Sequence, residues 1–260
     1  MTREFLVLED ADAVARETAD RVIALGQEAI DRQGTFHFAL TGGSTPLMVC
    51  PLLVVPPLVR QLDWSKVEFY FGDERAVPAT HPDSNYNTAR QAMLDHLPRV
   101  RPGQVHRMLG EAADLDAACH AYEALLRRVL PSSPDGLPMF DLVWLGIGTD
   151  GHMASLFPGT AALHERDRLA VPNWVPQMNS WRLTLTFPII NAAREVNFVA
   201  TGADKAEAVT SVRAGRHEVP AAEVDAERTL WIVDREAAGE VVGEAHGTSG
   251  PSAPEQAASG

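Results

Sequence analysis

The sequence predicts an α/β fold, in which a mostly parallel sheet is covered by helices on both faces. Two observations carry this prediction. Apolar runs such as FHFAL (36–40) and FDLVWLGIG (140–148) are continuous and do not alternate with polar residues, which is typical of strands buried on both faces. These runs also alternate along the chain with segments whose apolar residues recur at helical spacing.

The first elements follow from local signals. Residues 11–33 place their apolar side chains mostly on one side of a helix, which should end before Gly34. A strand over 36–40 then leads into the turn TGGST and a second helical start at Pro46. The apolar segment 46–59 is too short to span a bilayer and contains internal prolines, so we interpret it as a helix interrupted into a turn.

The rest of the chain continues the alternation. Strands are predicted over 67–72, 140–148, 183–187, 196–201 and 229–234, and helices over 84–97, 114–130 and 204–214. Residues 1–242 are expected to form a single domain, because no internal repeat and no clear linker divides them. Residues 243–260 are small, polar and rich in proline and glycine, which predicts a disordered tail.

Net charge argues against two classes of partner. The 260-residue chain carries 22 Lys and Arg against 35 Asp and Glu, a formal charge of −13. A general attraction to nucleic acid or to an anionic membrane is therefore not expected. An anionic small molecule would have to be captured by a few local cations. The sequence does not define an oligomeric state.

The cysteines and the N-terminus indicate a cytoplasmic location. Cys50 and Cys119 lie far apart with no CxxC spacing, which predicts two free thiols in a reducing compartment. The N-terminal segment MTREFLVLEDADAVARE turns acidic early and has no long apolar stretch, so it does not have the pattern of a secretory signal.

The turn Thr41-Gly42-Gly43-Ser44-Thr45-Pro46 joins a predicted strand to a helix. Its glycines let the backbone approach a ligand, while amides at the helix N-terminus and two hydroxyls offer donors to a phosphate. It lacks the Walker A lysine and the GxGxxG spacing, so nucleotide binding is not indicated. Simple helix capping is the alternative interpretation.

A second polar loop, GDER (72–75), follows the strand VEFYF. Arg75 can form a fork to a phosphate or carboxylate, and Asp73 can orient a catalytic group or handle a proton. A salt-bridged loop explains the same residues equally well. In the following HPDSNYN segment, Ser84, Asn85 and Asn87 are candidate helix caps.

The most unusual loop is GIGTDGHMASLFPG (146–159), which directly follows a buried strand. His152 lies two residues after Asp150, just past glycines that make a tight strand exit. An imidazole titrates near neutral pH, so it can take a proton from water and return it to a leaving oxygen. A nearby carboxylate would fix its tautomer. We interpret the histidines without such a setting as surface or packing residues, namely His37, His81, His96, His106 and His120.

Two rival chemistries find little support in the sequence. A metal site built from Asp73, His81 and His152 lacks any HExxH, paired-cysteine or DxDxDG pattern. A serine hydrolase would need a GxSxG elbow, which is absent. Ser155 is therefore expected to cap or pack.

The chain carries a specific combination of motifs. These are ALTGGSTP (39–46), FGDERAVPATHPDSNYNTAR (71–90), FDLVWLGIGTDGHMASLFPG (140–159), RLTLTFPIIN (182–191) and TGADKAEAV (201–209). In this order they resemble the 6-phosphogluconolactonase family, over most of residues 5–235. The resemblance implies a Rossmann-like α/β fold related to sugar-phosphate isomerases. It also implies hydrolysis of 6-phospho-D-glucono-1,5-lactone to 6-phosphogluconate in the oxidative pentose phosphate pathway, with no metal and no organic cofactor.

The resemblance also implies residue roles. His152 would be the general base, with Asp150 beside it, and Asp73 matches a conspicuous family position of undecided role. The phosphate or sugar would be held by Gly42, Gly43, Ser44, Thr45, Arg75, Arg182 and Lys205. A mechanism reasoned from the residues agrees with this transfer. Water activated by His152 would attack the lactone carbonyl, and the ring oxygen would leave with a proton from the imidazolium.

The chain departs from the family pattern in four places. The family commonly has Pro where Thr149 stands, Thr where Met153 stands, and often a second basic residue where Trp181 stands. The first two changes are expected to leave the loop intact, whereas Trp181 would weaken positive charge near the substrate. The connection over 214–229 is also short.

Two alternative functions remain at this point. A glucosamine-6-phosphate deaminase/isomerase resembles the chain in fold and in a DGH motif, but its chemistry uses an acidic residue shortly after the His. This chain has no carboxylate there until Glu165. A non-catalytic sugar-phosphate sensor is the other alternative, although no DNA-binding extension or basic patch accompanies the domain.

Overall fold

A sheet of six parallel strands forms the centre of the fold. The structure is a computed structural model that describes residues 2–240. Its strands are Thr2–Leu8 (β1), Phe36–Leu40 (β2), Val67–Phe71 (β3), Asp73–Arg75 (β4), Leu142–Leu145 (β5), Ala170–Val175 (β6), Ser180–Leu185 (β7), Glu195–Ala200 (β8) and Arg228–Asp234 (β9). The parallel sheet has the order β1-β9-β8-β5-β2-β3, and a smaller antiparallel sheet has the order β4-β7-β6.

Helices connect these strands. The α-helices are Ala11–Gln33 (α1), Thr45–Leu53 (α2), Asn85–Ala89 (α3), Leu115–Val129 (α4), Phe187–Asn191 (α5) and Ala206–Arg213 (α6), and a π-helical segment, Arg90–Leu94, continues α3. Short 3-10 helices lie at Leu58–Arg60, Trp64–Lys66, Pro102–Gln104, Ala161–His164, Pro176–Met178, Ala203–Lys205 and Pro220–Glu223.

Helix α1 shows how local chemistry sets element ends. The Asp10 side chain accepts a hydrogen bond from the Ala13 amide at 2.8 Å, which satisfies one free donor of the first turn. Gly34 ends the helix in the left-handed conformation, φ +84°, and its N–H bonds to the Ile30 carbonyl. The predicted bounds of this helix are confirmed.

The parallel sheet separates two apolar cores. In β5, Leu142 and Trp144 pack on one face, in a cluster with α1 and α2, whereas Val143 and Leu145 pack on the other with α4 and the small sheet. All four side chains are fully buried. Continuous apolar runs are required because both faces of each central strand are covered. The predicted α/β fold with helices on both faces is confirmed.

The small antiparallel sheet differs from the sequence prediction. The segment 72–75 was expected to be a loop, but it contains β4, and the strand predicted over 183–187 is β7 in this second sheet. Neither β4 nor β6 has a strand-like sequence, because β4 is the polar tripeptide DER and β6 contains Pro172 and Asn173. Strand β1, at the sheet edge, was also not predicted.

Several other predicted elements are present in the structure with shorter bounds. The helix predicted over 84–97 ends earlier, as α3 and its π-helical continuation, and the strand over 140–148 is shortened to β5. The single domain over 1–242 stays a prediction, and the tail predicted over 243–260 lies outside the described residues. Both cysteines are buried and free. Among the helices of the described region, none has the length and apolar character to cross a bilayer.

A buried aromatic cluster lies on the parallel sheet and contains His37. Its Nδ1 lies 3.1 Å from the Tyr70 hydroxyl, and Tyr70 stacks on His106, whose Nε2 pairs with Glu68 at 2.7 Å. Burial, followed by the charge of His106, lowers the pKa of His37 from 6.5 to about 4. The folded state therefore holds this imidazole neutral.

This shift predicts a loss of stability in mild acid. Between pH 7 and pH 5 the unfolded chain gains a proton at His37 that the folded chain does not bind, so the free energy of unfolding should fall by about 2 kcal/mol from this group. Urea unfolding at both pH values measures the fall. Replacing His37 by Gln should remove that component, and the same change at the exposed His217 should not; an equal pH dependence in all three proteins would contradict the assignment.

Candidate active site

A cavity of about 260 Å³ lies at the carboxyl edge of the parallel sheet, where loops leave β2, β5 and β8. Parallel strands bring their carboxyl ends to one edge, which is the usual ligand position in open α/β sheets. The lining comprises Thr41–Thr45, Met48, Asp73, Arg75, Gly146–Gly148, His152–Ala154, Phe157, Met178, Arg182, Val199–Thr201 and Lys205.

The loop after β2 presents the first turn of α2 to this cavity. Gly43 adopts a positive φ of +77°, which glycine tolerates at no steric cost, and Ser44 precedes the helix as its cap residue. The first amides of a helix have no partner within the helix, and they lie at its positive end. The Thr41 hydroxyl accepts a hydrogen bond from the Gly146 amide at 3.2 Å, which ties this loop to the loop after β5.

Asn85 joins the loop after β2, residues 41–44, to the small antiparallel sheet; we call this loop the glycine loop. Its side-chain amide donates to the Asp73 carbonyl and to Asp73 Oδ1, both at 2.9 Å. The same side chain packs against Gly42 so closely that a Cβ at position 42 would overlap it. Gly42 is therefore required by close packing, whereas Gly43 is required by its backbone conformation.

Asp73 connects the small sheet to the loop that carries His152. Its second oxygen, Oδ2, accepts a hydrogen bond from the Ser155 hydroxyl at 2.6 Å. Ser155 is fully buried, and its carbonyl accepts from the Asn173 side chain on β6 at 2.8 Å. Ser155 thus packs behind the cavity wall, as expected from the sequence.

His152 is held by its neighbours on several sides. Its Nδ1 lies 2.5 Å from Asp150 Oδ1, which also accepts the His152 amide at 3.1 Å. An ionised carboxylate only accepts hydrogen bonds, so this contact keeps the proton on Nδ1 and leaves the lone pair on Nε2. The Phe157 ring stacks on the imidazole with centroids 3.8 Å apart. Any side chain at Gly148 would overlap the imidazole.

Two arginines of the small sheet face the cavity together. Arg75 on β4 and Arg182 on β7 are direct cross-strand partners, and neither forms an ion pair with any residue between 2 and 240. The buried Nε of Arg75 has no hydrogen-bond partner there either. Burial, followed by the nearby Arg75 cation, lowers the pKa of the Arg182 guanidinium. Like charges placed opposite each other are unfavourable, so this pair suits an anionic ligand.

The structure brings the predicted site residues together. Gly42, Gly43, Ser44, Thr45, Asp73, Arg75, His152, Arg182 and Lys205 all line the cavity. Asp150 does not line it but contacts His152, and the Lys205 ammonium also pairs with Asp204 at 3.0 Å. His81, a member of the alternative metal site, is not on the lining, and no group of three or more metal-ligating side chains occurs in the described part of the chain.

The departures from the family pattern lie mostly outside the cavity. Trp181, which was expected to weaken charge near the substrate, does not line this cavity; it lines two neighbouring grooves, one beside Pro172 and residues 110–116 and one beside Arg75 and Arg182. It is adjacent to Arg182 on a strand, and successive side chains point to opposite faces. Thr149 is exposed, and Met153 is fully buried at the cavity wall.

Sequence reasoning missed three residues of the site. Asn85 was interpreted as a helix cap in preference to a contact with a sugar, Phe157 was not singled out, and Met178 was not considered. Phe157 follows His152 by five residues, inside the motif GIGTDGHMASLFPG (146–159) that the sequence already indicates as unusual. Asn85 and Met178 reach the site through tertiary contacts that carry no local signal.

Comparison with known proteins identifies close relatives. A family model described as glucosamine-6-phosphate isomerases/6-phosphogluconolactonase matches residues 9–231. A 6-phosphogluconolactonase of Streptomyces coelicolor is 34% identical over 249 residues, covering 92% of this chain and 95% of the relative. One of Synechocystis sp. is 40% identical over 216 residues, covering 81% and 86%. The solved 6-phosphogluconolactonase structure from Trypanosoma brucei superimposes with a TM-score of 0.78 at 28% identity, covering 93% and 99% of the two chains.

The contact between Gly42 and Asn85 predicts a steric effect. Gly42→Ala should destabilise the fold by about 1–3 kcal/mol, because the new methyl group overlaps a buried amide. Chemical unfolding measures the change. Gly103→Ala is the control, since nothing lies within 4 Å of a Cβ there. In an Asn85→Ala background the cost of Gly42→Ala should shrink, and an unchanged cost would show that the overlap is not its source.

Proposed function

Because the chain belongs to the glucosamine-6-phosphate isomerase/6-phosphogluconolactonase family, we propose that it hydrolyses 6-phospho-D-glucono-1,5-lactone to 6-phospho-D-gluconate. The observation that carries this proposal is the Asp150–His152 pair at a cavity that the half-buried Arg75 and the buried Arg182 also line. A base and an anion site then share one cavity. The cytoplasmic location remains a prediction.

The proposed reaction needs one proton carrier. Nε2 of His152 accepts a proton from a water molecule as the water oxygen attacks the lactone carbonyl carbon. The tetrahedral intermediate then collapses, the bond between that carbon and the ring oxygen breaks, and the ring oxygen takes the proton from the imidazolium. Asp150 stabilises the imidazolium between these two steps through its bond to Nδ1.

The negative charge on the carbonyl oxygen needs donors that are already in place. The first-turn amides of α2 supply positive potential at the cavity. A lactone is an activated ester, and general-base assistance contributes about 10²–10⁴-fold. The proposed step therefore requires no covalent nucleophile.

Arg75 and Arg182 are proposed to hold the substrate phosphate, with help from Ser44, Thr45 and Lys205. A phosphate dianion relieves the repulsion between the paired guanidinium groups and accepts their forked hydrogen bonds. Lys205 reaches the same cavity from the loop after β8. Anchoring the far end of the sugar would leave the lactone carbonyl near His152.

Asp73 is proposed to orient its neighbours and not to transfer protons. Both of its oxygens already accept hydrogen bonds, one from Asn85 and one from Ser155. Through Ser155 it fixes the segment that carries His152, and through Asn85 it fixes the position of the Gly42 loop.

The arrangement favours a lactonase over the deaminase activity of the same family. Among residues 2–240, Asp73 supplies the only carboxylate on the cavity lining. Glu165, the first acidic residue after His152, instead accepts from the Asp167 and Arg168 amides and does not line the cavity. Supplying each substrate separates the two activities: acid release from fresh lactone supports the proposal, and ammonia release from glucosamine 6-phosphate contradicts it.

Removing the base should abolish most of the turnover. After the spontaneous hydrolysis rate is subtracted, the kcat of His152→Ala should be about 10²–10⁴-fold lower than that of the wild type, because no other group takes the proton. Calorimetry should show that 6-phosphogluconate still binds within about threefold, since the arginine pair is intact. His217→Gln serves as the control. Turnover of His152→Ala near the wild-type rate would exclude His152 as the base, and loss of product binding would indicate a collapsed site.

The arginine pair should determine selectivity for a phosphorylated substrate. Arg182→Met should raise KM for the phosphorylated lactone by about 10–100-fold, because a charged hydrogen bond is worth roughly 1.5–3 kcal/mol. With unphosphorylated glucono-1,5-lactone the same variant should behave like wild type. Arg166→Met at the protein surface is the matched control. Equal losses with both lactones would show that Arg182 does not contact phosphate.

A further inference from the structure

The Phe157 ring covers one face of the His152 imidazole. The two ring centroids lie 3.8 Å apart and the planes differ by 17°, so the rings are stacked face to face. Phe157 is 5% exposed and lines the cavity beside the imidazole. The stacking therefore lies next to the reacting atom, and the ring is one wall of the site.

The backbone around Phe157 holds its ring in place. The Phe157 carbonyl accepts from the Thr160 hydroxyl at 2.8 Å, and the neighbouring Pro158 carbonyl accepts from the Gln177 side chain at 3.2 Å. Gln177 lies at the turn between β6 and β7. The segment is thus tied both to its own turn and to the small sheet, which makes it a fixed support for another side chain.

A histidine needs more than one contact to fix its plane. The bond from Nδ1 to Asp150 holds one edge of the ring but allows it to tilt about that contact. A stacked ring removes the tilt, because tilting would separate or overlap the two faces. Gly148 leaves room at Nδ1 and Cε1 for this orientation, since any Cβ there would overlap both atoms.

We propose that Phe157 is a positioning residue for the reaction: its ring sets the plane of His152 and so directs Nε2 at the attacking water. This inference rests on the proposed lactone hydrolysis. The electron-rich face of the phenyl ring also stabilises the imidazolium that forms when water is deprotonated. Phe157 thus supports the base in both protonation states without offering a hydrogen bond.

Three variants test the proposal through kinetics. Phe157→Leu keeps an apolar side chain but removes the flat ring, so kcat should fall about tenfold while KM for the phosphorylated lactone stays within twofold. Phe157→Tyr keeps the ring and should restore kcat to within about threefold of wild type. Phe187→Leu changes an equally buried phenylalanine outside the cavity, and it should lower the melting temperature without changing kcat.

A spectroscopic measurement tests the stacking without relying on activity. The carbon-bound imidazole protons of His152, assigned by their absence in His152→Ala, should resonate upfield because of the phenyl ring current. They should return toward ordinary positions in Phe157→Leu and stay upfield in Phe157→Tyr. Unchanged resonances in Phe157→Leu, unchanged kcat, or an equal loss of kcat in Phe187→Leu would each overturn the proposal.

The outcomes separate this inference from the proposed function. If the wild-type protein hydrolyses the lactone no faster than His152→Ala does, the proposed function fails, while the resonance positions still report whether the rings stack. If the wild type is active and His152→Ala is not, the function stands, and the kinetics of Phe157→Leu decide the role of the ring.

Discussion

The carboxylate of Asp73 is the contact on which the geometry of the cavity depends. It accepts hydrogen bonds from Ser155 and Asn85, and Asn85 in turn packs against Gly42. One buried side chain on β4 therefore links the His152 loop, the start of α3 and the glycine loop. Hydrogen bonds to a charged group are worth roughly 1.5–3 kcal/mol each, and leaving a buried carboxylate without them costs more. The three segments are thus held in position together, because losing either hydrogen bond would leave an oxygen of the buried carboxylate without a donor.

The charge distribution of the cavity opposes that of the whole chain. A net charge of −13 repels anions at long range, yet Arg75, Arg182 and Lys205 all reach one small cavity. Placing two guanidinium groups opposite each other on neighbouring strands is unfavourable unless an anion lies between them. Such a cost persists where a ligand compensates for it, which is how strained arrangements mark functional sites. The same reasoning explains why a few cations suffice for a phosphate on an acidic protein.

Sequence reasoning succeeded where the signal is local. The glycine loop and the His152 loop could be predicted because each directly follows a continuous apolar strand, and Asp150 lies only two residues from His152. It failed where the contact is distant: Ser155 and Asp73 are 82 residues apart, and nothing in either segment indicates their bond. Strand β4 was missed for the same reason, since three polar residues become a strand only when β7 pairs with them. The orientation of Trp181 also depends on that pairing.

The number of free acid–base groups decides between the chemistries that this family fold supports. Lactone hydrolysis needs one group that takes a proton from water and returns it to the ring oxygen, and we propose that the Asp150–His152 pair supplies it. Converting an amino sugar phosphate requires ring opening and proton movement between carbons, which calls for further acids and bases. Within the described residues the only carboxylate on the lining is Asp73, and both of its oxygens are engaged by Asn85 and Ser155. We therefore infer that the cavity is equipped for a single proton relay, and that its remaining polar groups serve to hold an anionic substrate in place.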